Sequence, residues 1–233
     1  MTSLLQPFAE AVWVHDGPAV PFAGLPYTTR MTIVLLPGDL LWVHSPAQLS
    51  PALQHEVNAL GQVKFLIAPN KLHHLFLRDW IEAYPQSSCF AAPGLARKRK
   101  DIDFFGELHA QPEQAWCREI DQLIFQGSPL MQEVVFFHRP SSTLILTDLI
   151  ENFRPESFKP WQRMLARLTG ILAPDGRTPL DWRLSFLVGR SQARACLLRM
   201  LEWHPMQIII AHGECIRDDA ETFLRRSFRW LQP

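Results

Sequence analysis

The chain has 233 residues, 47% of them hydrophobic, and its 23 basic and 23 acidic residues cancel to a formal net charge of zero. This length and apolar content suffice for a substantial core, and we expect a single domain over residues 1–233. Because the charges balance, no overall field recruits nucleic acid or an acidic membrane surface, and we expect neither as a partner.

The first third of the chain is predicted to form strands joined by tight turns. Segments 31–36 and 40–44 are apolar and flank a Pro-Gly-Asp turn, a pattern that is typical of a hairpin. Ser50 and Pro51 then provide an N-cap and a first-turn proline for a helix that ends near Gly61.

The rest of the chain alternates between strands and helices. A helical stripe over residues 71–84 begins at two adjacent histidines, His73 and His74. Further strands are predicted over 63–68, 90–93, 120–125, 133–138, 143–148 and 207–211, and the fourth and fifth of these form a hairpin. Further helices are predicted over 94–100, 157–169, 191–203 and 218–231.

Three of the predicted strands run directly into residues that can bind a metal. The strand at 63–68 leads to His73 and His74, the strand at 143–148 ends on Asp148, and the strand at 207–211 is followed by His212. If these strands lie in one sheet and point the same way, their carboxyl ends bring the four side chains to one edge. Taken singly, each residue has a structural explanation. His73 or His74 can be solvated, Asp148 can cap the next turn, and the His212 ring can hydrogen-bond to a carbonyl. Their coincidence at three strand ends predicts a metal site.

The chemistry of these side chains suits a divalent metal. Imidazole nitrogen and carboxylate oxygen are ordinary ligands of zinc, iron and manganese. Adjacent histidines can reach one ion together only on a loop or a first helical turn, because neighbours in regular structure point to different sides. The sequence has no nucleophile elbow, P-loop or dinucleotide-binding glycine motif, so serine hydrolase, P-loop and Rossmann chemistry have no local support.

The cysteines and the amino terminus bear on the compartment. The four cysteines are widely spaced and form no Cys-x-x-Cys motif, so a disulfide framework is not expected. Residues 1–10 lack a basic segment followed by a long apolar one, and no apolar run is long enough to cross a bilayer. We therefore expect a cytoplasmic protein.

The order of these elements and motifs resembles the metallo-β-lactamase superfamily. More narrowly, the sequences Ala-Pro-Asn-Lys-Leu-His-His at 68–74, Glu-Val-Val-Phe-Phe-His-Arg at 133–139 and Ile-Ile-Ala-His-Gly at 209–213 are similar to an uncharacterised bacterial family in that superfamily, DUF4336. The resemblance spans nearly the whole chain. It implies an α/β fold, an αββα sandwich in which two mixed β-sheets are flanked by helices.

The match to the superfamily is incomplete at its metal ligands. Its loop has the pattern His-x-His-x-Asp-His, and placing that loop on residues 69–74 puts Pro69 and Lys71 where the first two histidines would be. His73 then replaces the aspartate, and the histidine expected ahead of the hairpin is absent from 127–133. One of the two metal positions has therefore lost its own histidines.

The resemblance accordingly implies one divalent metal. Its ligands would be His74, Asp148 and His212, with His73 as a fourth. Zinc is favoured, with iron and manganese as alternatives. Lys71, near the vacated position, would replace the missing cation electrostatically and oppose the binding of a second one.

The implied activity is that of a mononuclear metal-dependent hydrolase. Its substrate would be a small molecule that contains an ester, thioester, amide or phosphodiester bond. His73 or Asp148 would take a proton, and Lys71 would stabilise developing negative charge. Because half of the superfamily's ligands are lost, a catalytically inactive protein with a binding or regulatory role is the alternative. For His44, a supporting role behind the ligands and a satisfied turn histidine are both open, and His138 is expected to be structural.

Overall fold

The computed structural model describes residues 3–22, 24–130 and 132–232. The strands in these residues are β1 Gln6–Ala9, β2 Val12–Phe22, β3 Leu25–Leu36, β4 Leu40–His44, β5 Gln62–Ala68, β6 Ser88–Ala91, β7 Gly106–Glu107, β8 Ile120–Phe125, β9 Glu133–His138, β10 Thr143–Leu146 and β11 Gln207–Ile210. The α-helices are α1 Pro51–Leu60, α2 Leu77–Ala83, α3 Leu95–Lys98, α4 Pro160–Thr169, α5 Leu180–Ser185, α6 Arg190–Glu202 and α7 Ala220–Ser227. Two 3₁₀ turns, Pro155–Ser157 and Arg229–Leu231, complete the helical segments.

The strands form two mixed sheets. The first sheet has the order β1-β2-β3-β4-β5-β6-β7, antiparallel from β1 to β4 and parallel from β4 to β7. The second sheet has the order β11-β10-β9-β8, in which β10 and β11 are parallel and the other pairs are antiparallel. Each sheet therefore has parallel neighbours whose carboxyl ends lie at a common edge.

Three apolar layers identify the architecture as αββα. The layer between the sheets combines residues of both, such as Trp42 and Ile67 from the first and Phe136 and Ile145 from the second. A second layer lies between the first sheet and helices α1 to α3, and a third lies between the second sheet and helices α6 and α7. The predicted sandwich of two mixed sheets flanked by helices is confirmed.

The sheets are buried on both faces, which explains the continuous apolar runs of their strands. In β5, Phe65 and Ile67 enter the layer between the sheets, whereas Leu66 and Ala68 pack against the outer helices. Strand side chains alternate between faces, so a single run of apolar residues contributes to two cores.

Several local predictions agree with the structure. Strands β3 and β4 form the predicted hairpin. Helix α1 begins after Ser50, whose hydroxyl accepts a hydrogen bond from the Leu53 amide at 3.2 Å, and Gly61 follows its last residue. These features depend on turn and cap chemistry within a few residues, which is why the sequence shows them.

Two expectations that bear on the candidate ligands differ from the structure. The helix predicted to begin at residue 71 begins at Leu77, because residues 71–76 form irregular turns. The three strands that lead to the candidate ligands do not share one sheet: β5 belongs to the first sheet, and β10 and β11 belong to the second. Their carboxyl ends converge because the two sheets are stacked face to face.

Helix α4 directs its apolar stripe outward. It buries Gln162 and Ala166, and the Gln162 side chain donates a hydrogen bond to the Gly24 carbonyl at 2.9 Å. The larger apolar residues of this helix are exposed: Trp161, Met164, Leu165 and Leu168. Within the described ranges, no helix combines the length and apolar character that crossing a membrane requires.

A buried histidine far from the candidate ligands predicts a pH dependence of stability. His138 on β9 is 1% exposed, its Nδ1 lies 2.7 Å from the Ser141 hydroxyl, and burial lowers its pKa to about 4. In the unfolded chain this histidine gains a proton below about pH 6.5, whereas the folded state resists protonation until about pH 4. His138 therefore weakens the folded state progressively as the pH falls through this window.

We expect His138→Asn, which keeps a polar atom near the position of Nδ1, to remove this contribution. Lowering the pH from about 7 to about 5 should reduce the free energy of unfolding in both proteins. The reduction should be smaller in the variant than in the wild type, by about 1–2 kcal/mol. Urea unfolding at both pH values measures the difference. Equal losses in the two proteins would contradict the assignment.

Candidate metal centre

The loop after β5 is shaped by a buried asparagine. The Asn70 side-chain oxygen accepts hydrogen bonds from the backbone amides of Leu72 at 2.8 Å and His73 at 3.0 Å. A side chain that satisfies the next amides in this way favours a turn over a helix. The turn carries His73 to the edge of the sandwich, and it explains why α2 begins later than its apolar periodicity indicates.

Three side chains from three strand ends meet at this edge. His212 Nε2 lies 3.0 Å from Asp148 Oδ1, His73 Nε2 lies 3.4 Å from Asp148 Oδ2, and the two Nε2 atoms are 3.2 Å apart. All three side chains are at least nine-tenths buried. Within the described residues, they are the one group of histidine, cysteine and carboxylate side chains that could hold a metal ion.

These distances fit coordination of a single cation. Two ligands bonded to one ion at about 2.1 Å are separated by about 3.0 Å at a right angle and about 3.4 Å at a tetrahedral angle. The two Nε2 atoms, which are 3.2 Å apart, fall in that interval. Asp148 faces His212 with Oδ1 and His73 with Oδ2, and with one ligand atom taken from each residue the three atoms lie within 4.8 Å of one another. Two imidazoles and one carboxylate are also a donor set that zinc, iron and manganese accept, and three protein ligands leave a coordination position open. The residues therefore fit one divalent metal.

The second nitrogen of each of these histidines is held by a polar partner. His212 Nδ1 donates to the Thr28 carbonyl at 2.6 Å, and because a carbonyl only accepts, this bond places the proton on Nδ1. The lone pair of the neutral ring is then on Nε2, the atom that faces Asp148. His73 Nδ1 lies 2.6 Å from the hydroxyl of Ser45, which follows β4. Both rings are thus oriented from behind.

Asp148 has a strongly anionic character despite its burial. Burial alone would raise the pKa of Asp148, but the nearby His73 and the hydrogen-bonded His212 together lower it well below its usual range. Asn70 contributes a further hydrogen bond, from Nδ2 to Asp148 Oδ2 at 2.6 Å. Burial also acts against the charged form of His212, yet its hydrogen bond to Asp148 raises the pKa of this histidine above the ordinary value.

A second buried carboxylate, Glu133 at the start of β9, holds the loop that carries Asp148. Its two oxygens accept hydrogen bonds from the backbone amides of Thr147 at 2.7 Å, Asp148 at 2.7 Å and Leu149 at 3.2 Å. Burial, reinforced by the charge of Asp148, raises the pKa of Glu133 to about 7. The amide hydrogen bonds oppose that rise because they stabilise the carboxylate.

The structure differs from the sequence prediction at His74. This residue is absent from the group formed by His73, Asp148 and His212, although it lines the same cavity. The Arg99 guanidinium donates to His74 Nδ1 at 2.8 Å and to the His74 carbonyl at 3.1 Å. Since Arg99 can only donate, Nδ1 is the acceptor and the proton of the neutral ring is on Nε2, which leaves no lone pair there for a metal. Of the two adjacent histidines that the sequence predicts as ligands, only His73 belongs to the group.

Lys71 also lies elsewhere than predicted. Its side chain packs against Gly94, where an added Cβ would be 3.0 Å from Lys71 Cε, and it does not line the cavity beside the ligands. Gly94 has a φ of +75° and no side chain, so it leaves room for the lysine. Lys98 lines the cavity instead, and its ammonium group donates to the Lys71 carbonyl at 2.7 Å.

The ligand group forms part of the floor of a cavity of about 260 Å³. Glu151, which is 2% exposed, also lines this cavity, and its carboxyl group accepts a hydrogen bond from the Tyr27 hydroxyl at 3.2 Å. Burial raises the pKa of Glu151 to about 8, and the charge of His212 acts in the opposite direction. A carboxyl group that retains a proton near neutral pH is thus placed at the floor of the cavity.

The two remaining histidines of interest are buried and uncharged. His44 stacks on Trp42, and burial, together with the nearby His73, lowers its pKa to about 3. Its Nε2 atom has no hydrogen-bond partner among the described residues, so His44 is not a satisfied turn histidine. His138 bonds to Ser141 as a structural residue of β9.

Sequence reasoning missed several residues of this site as functional candidates, among them Ser45, Asn70, Glu133 and Glu151. Asn70 and Glu133 lie within the motifs that carried the family resemblance, so the motifs contained a signal that their polar residues matter. Ser45 and Glu151 have no comparable signal, because their roles depend on contacts with residues far away in the chain.

Comparisons with solved structures identify the fold as that of the metallo-β-lactamases. A metallo-β-lactamase from Pontibacter korlensis matches with a TM-score of 0.65 at 12% identity, covering 98% of this chain and 98% of that one. The mono-zinc form of the metallo-β-lactamase FIM-1 from Pseudomonas aeruginosa gives 0.64 at 11% identity, covering 98% and 96%. A fragment of a protein from Nostoc sp. PCC 7120, assigned as a diflavin flavoprotein, gives 0.68 at 14% identity, covering 98% and 94%.

The sequence places the chain more narrowly within this fold. The family model described as "Domain of unknown function (DUF4336)" matches residues 10–163, and the chain belongs to that family. A comparison with curated proteins gives no match. The structural matches share the fold at low identity, so the site itself must support any assignment of activity.

The role of Glu133 leads to a prediction about stability. In Glu133→Gln, the single remaining oxygen cannot serve all three backbone amides, and the new NH₂ group faces at least one of them. We expect the free energy of unfolding to fall by about 2 kcal/mol, measured by urea unfolding at about pH 8. Glu10→Gln, at an exposed position, is the matched control and should change it by less than about 0.5 kcal/mol. Unfolding of Glu133→Gln at the wild-type urea concentration would contradict this role.

Proposed function

We propose that the protein is a mononuclear metal-dependent hydrolase acting on an ester, thioester, amide or phosphodiester. The observation that supports this most strongly is the hydrogen bond from His212 Nδ1 to the Thr28 carbonyl. It directs the lone pair of the neutral ring on Nε2 toward the place where Asp148 and His73 converge. Zinc is our preferred metal, with iron and manganese as alternatives.

His73, Asp148 and His212 would hold the metal in this proposal. When bound, such a metal would polarise the scissile group and lower the pKa of a bound water molecule. The protein contributes the orientation of its ligands: Ser45 and Thr28 fix the imidazole rings, and Asn70 fixes Asp148. Ligands whose rear atoms are already bonded need little reorganisation to bind.

We assign proton transfer to Glu151. Its carboxyl group lies at the floor of the cavity and retains a proton near neutral pH, so it can donate that proton to the departing oxygen, sulfur or nitrogen. Water supplies the oxygen of the new bond, and one of its protons returns Glu151 to the protonated state. The sequence favoured His73 or Asp148 for proton transfer. In this proposal the Nε2 atom of His73 and the carboxylate of Asp148 would bind the metal, so neither residue is assigned that role.

The positive charge at the cavity is assigned to Lys98 rather than Lys71. Lys98 is exposed and lines the cavity, whereas Lys71 packs against Gly94. A lysine at the rim can attract an anionic part of a substrate. Its single charge attracts an anion less strongly than the second metal ion that the missing histidines would have bound.

A catalytically inactive protein with a binding or regulatory role is the second candidate. The contacts that favour it are the hydrogen bonds among Asp148, His212 and Asn70, which can join the two sheets without a cation. In that case the site would serve as a structural connection beneath a ligand cavity. Metal content together with hydrolysis of ester, thioester and phosphodiester substrates separates the two candidates.

The metal assignment predicts a specific pattern of metal loss. Wild-type protein purified without chelator should contain about one equivalent of divalent metal by elemental analysis, and His73→Ala and Asp148→Ala should each contain less than about a tenth of that. His74→Ala should retain the metal because the ring bonds to Arg99. His55→Ala, an exposed histidine on α1, is the matched control. Absence of metal from the wild type, or equal loss in His74→Ala, would contradict the assignment.

The role of Glu151 predicts a separate kinetic effect. Glu151→Gln preserves size but cannot deliver a proton, so kcat for alkyl ester or amide substrates, whose leaving groups need protonation, should fall by about 10²-fold or more. Metal content and KM should stay near the wild-type values. Tyr27→Phe removes only the supporting hydrogen bond and should reduce kcat by less than about tenfold. A Glu151→Gln variant that retains wild-type kcat would exclude this residue as the proton donor.

A further inference from the structure

The cavity over the ligand group has a polar floor and apolar walls. The floor carries His73, Asp148, His212 and Glu151. Most of the other lining side chains are apolar, among them Val20, Pro21, Phe22, Leu72, Leu75 and Trp182, and Thr29, Ser45, His74 and Lys98 add polar groups. Any molecule that places a reacting group at the floor must therefore run along an apolar surface toward the rim.

The apolar walls come from three separate parts of the chain. The end of β2 contributes Phe22, the loop after β5 contributes Leu75, and helix α5 contributes Trp182. Phe22 is 43% exposed and Leu75 is 56% exposed, so both remain in contact with solvent at the rim. Convergence of exposed apolar side chains around one opening indicates a surface that is covered by an apolar ligand.

The charges of the cavity favour one class of substrate over another. Among the described residues that line it, Lys98 is the only lysine or arginine, and the carboxyl groups of Asp148 and Glu151 lie at the floor. Sites for transferring phosphoryl groups usually surround the anionic oxygens with several arginine, lysine or backbone donors. A single lysine at the rim does not provide such a set. An uncharged acyl group is the better match to the walls and the floor.

We propose that this cavity binds an apolar acyl chain, so that the substrate is an ester, thioester or amide of a medium-chain carboxylic acid. The proposal rests on the hydrolase function and narrows its substrate class. Hydrolysis breaks the bond between the acyl carbon and the oxygen, sulfur or nitrogen of the leaving group. Water forms the new carbon–oxygen bond, one proton goes to the leaving atom, and the acid product ionises to a carboxylate and a proton.

The size of the cavity limits the length of the chain. The cavity has a volume of about 260 Å³ and opens to solvent beside Phe22 and Leu75. Once its apolar walls are covered, further methylene groups extend past these two residues into solvent and add little affinity.

Binding of product carboxylates tests the proposal without requiring activity. Butyrate, hexanoate, octanoate and decanoate are titrated into the wild-type protein by calorimetry, before and after treatment with a chelator. Affinity should rise by about two- to fourfold for each added methylene until the cavity is filled, because each methylene leaves water for an apolar wall. Equal affinity for all four acids would overturn the proposal.

Two rim variants locate the binding surface. Leu75→Asp places a charge at the rim and should weaken octanoate binding by at least about tenfold, while butyrate binding changes by less than about twofold. Leu198→Asp, a 50% exposed leucine on α6 that does not line the cavity, is the matched control and should leave the length dependence unchanged. Equal effects of the two variants on octanoate would overturn the assignment to this cavity.

The outcomes separate this inference from the hydrolase proposal. A protein that binds longer carboxylates more tightly but contains no metal and hydrolyses no ester would retain the acyl cavity and exclude the hydrolase. A metal-containing protein that hydrolyses acetyl and octanoyl esters with equal KM and binds all the carboxylates equally would retain the hydrolase and exclude the acyl cavity.

Discussion

The candidate site depends on a buried carboxylate, Glu133, that stabilises the loop after β10. Three successive backbone amides of that loop leave the strand ladder, and Glu133 accepts a hydrogen bond from each of them. The fixed loop places Asp148 within reach of Asn70 on the other sheet, where a 2.6 Å hydrogen bond joins the two. The relative position of the ligands from the two sheets therefore rests on a few buried polar contacts, which are strong because they are excluded from water.

The same site shows how a second hydrogen bond decides what a histidine can do. A carbonyl behind His212 leaves its inner nitrogen free to accept a proton or a metal, whereas a guanidinium behind His74 leaves the inner nitrogen protonated. The two rings have the same chemical composition and line the same cavity. Their difference arises from Thr28 and Arg99, residues that neither local sequence motif contains. This difference accounts for a three-residue group that contains His73 but not His74.

The cavity combines this polar floor with walls of a different character. Glu151 retains a proton because burial disfavours its charge, and Tyr27 supports it with a hydrogen bond. A ligand that covers these walls would exclude water from the region where that proton is used, which would strengthen electrostatic interactions at the floor. Helix α4 packs its polar Gln162 against the backbone at Gly24, next to the end of β2 that forms one of these walls. Its apolar stripe consequently faces solvent, contrary to the usual orientation of an amphipathic helix.

The sequence by itself determined the layered fold and the strand ends from which ligands come, because apolar periodicity, turn residues and caps act over a few neighbouring positions. It predicted Asp148 and His212 at those ends and both His73 and His74 from the loop after β5. Only the tertiary structure decided that His73 and not His74 joins the group, where the lysine at the cavity lies, and that Glu151 completes the floor. These outcomes depend on partners such as Arg99, Gly94 and Tyr27, whose distances are set by the stacking of two sheets rather than by spacing along the chain.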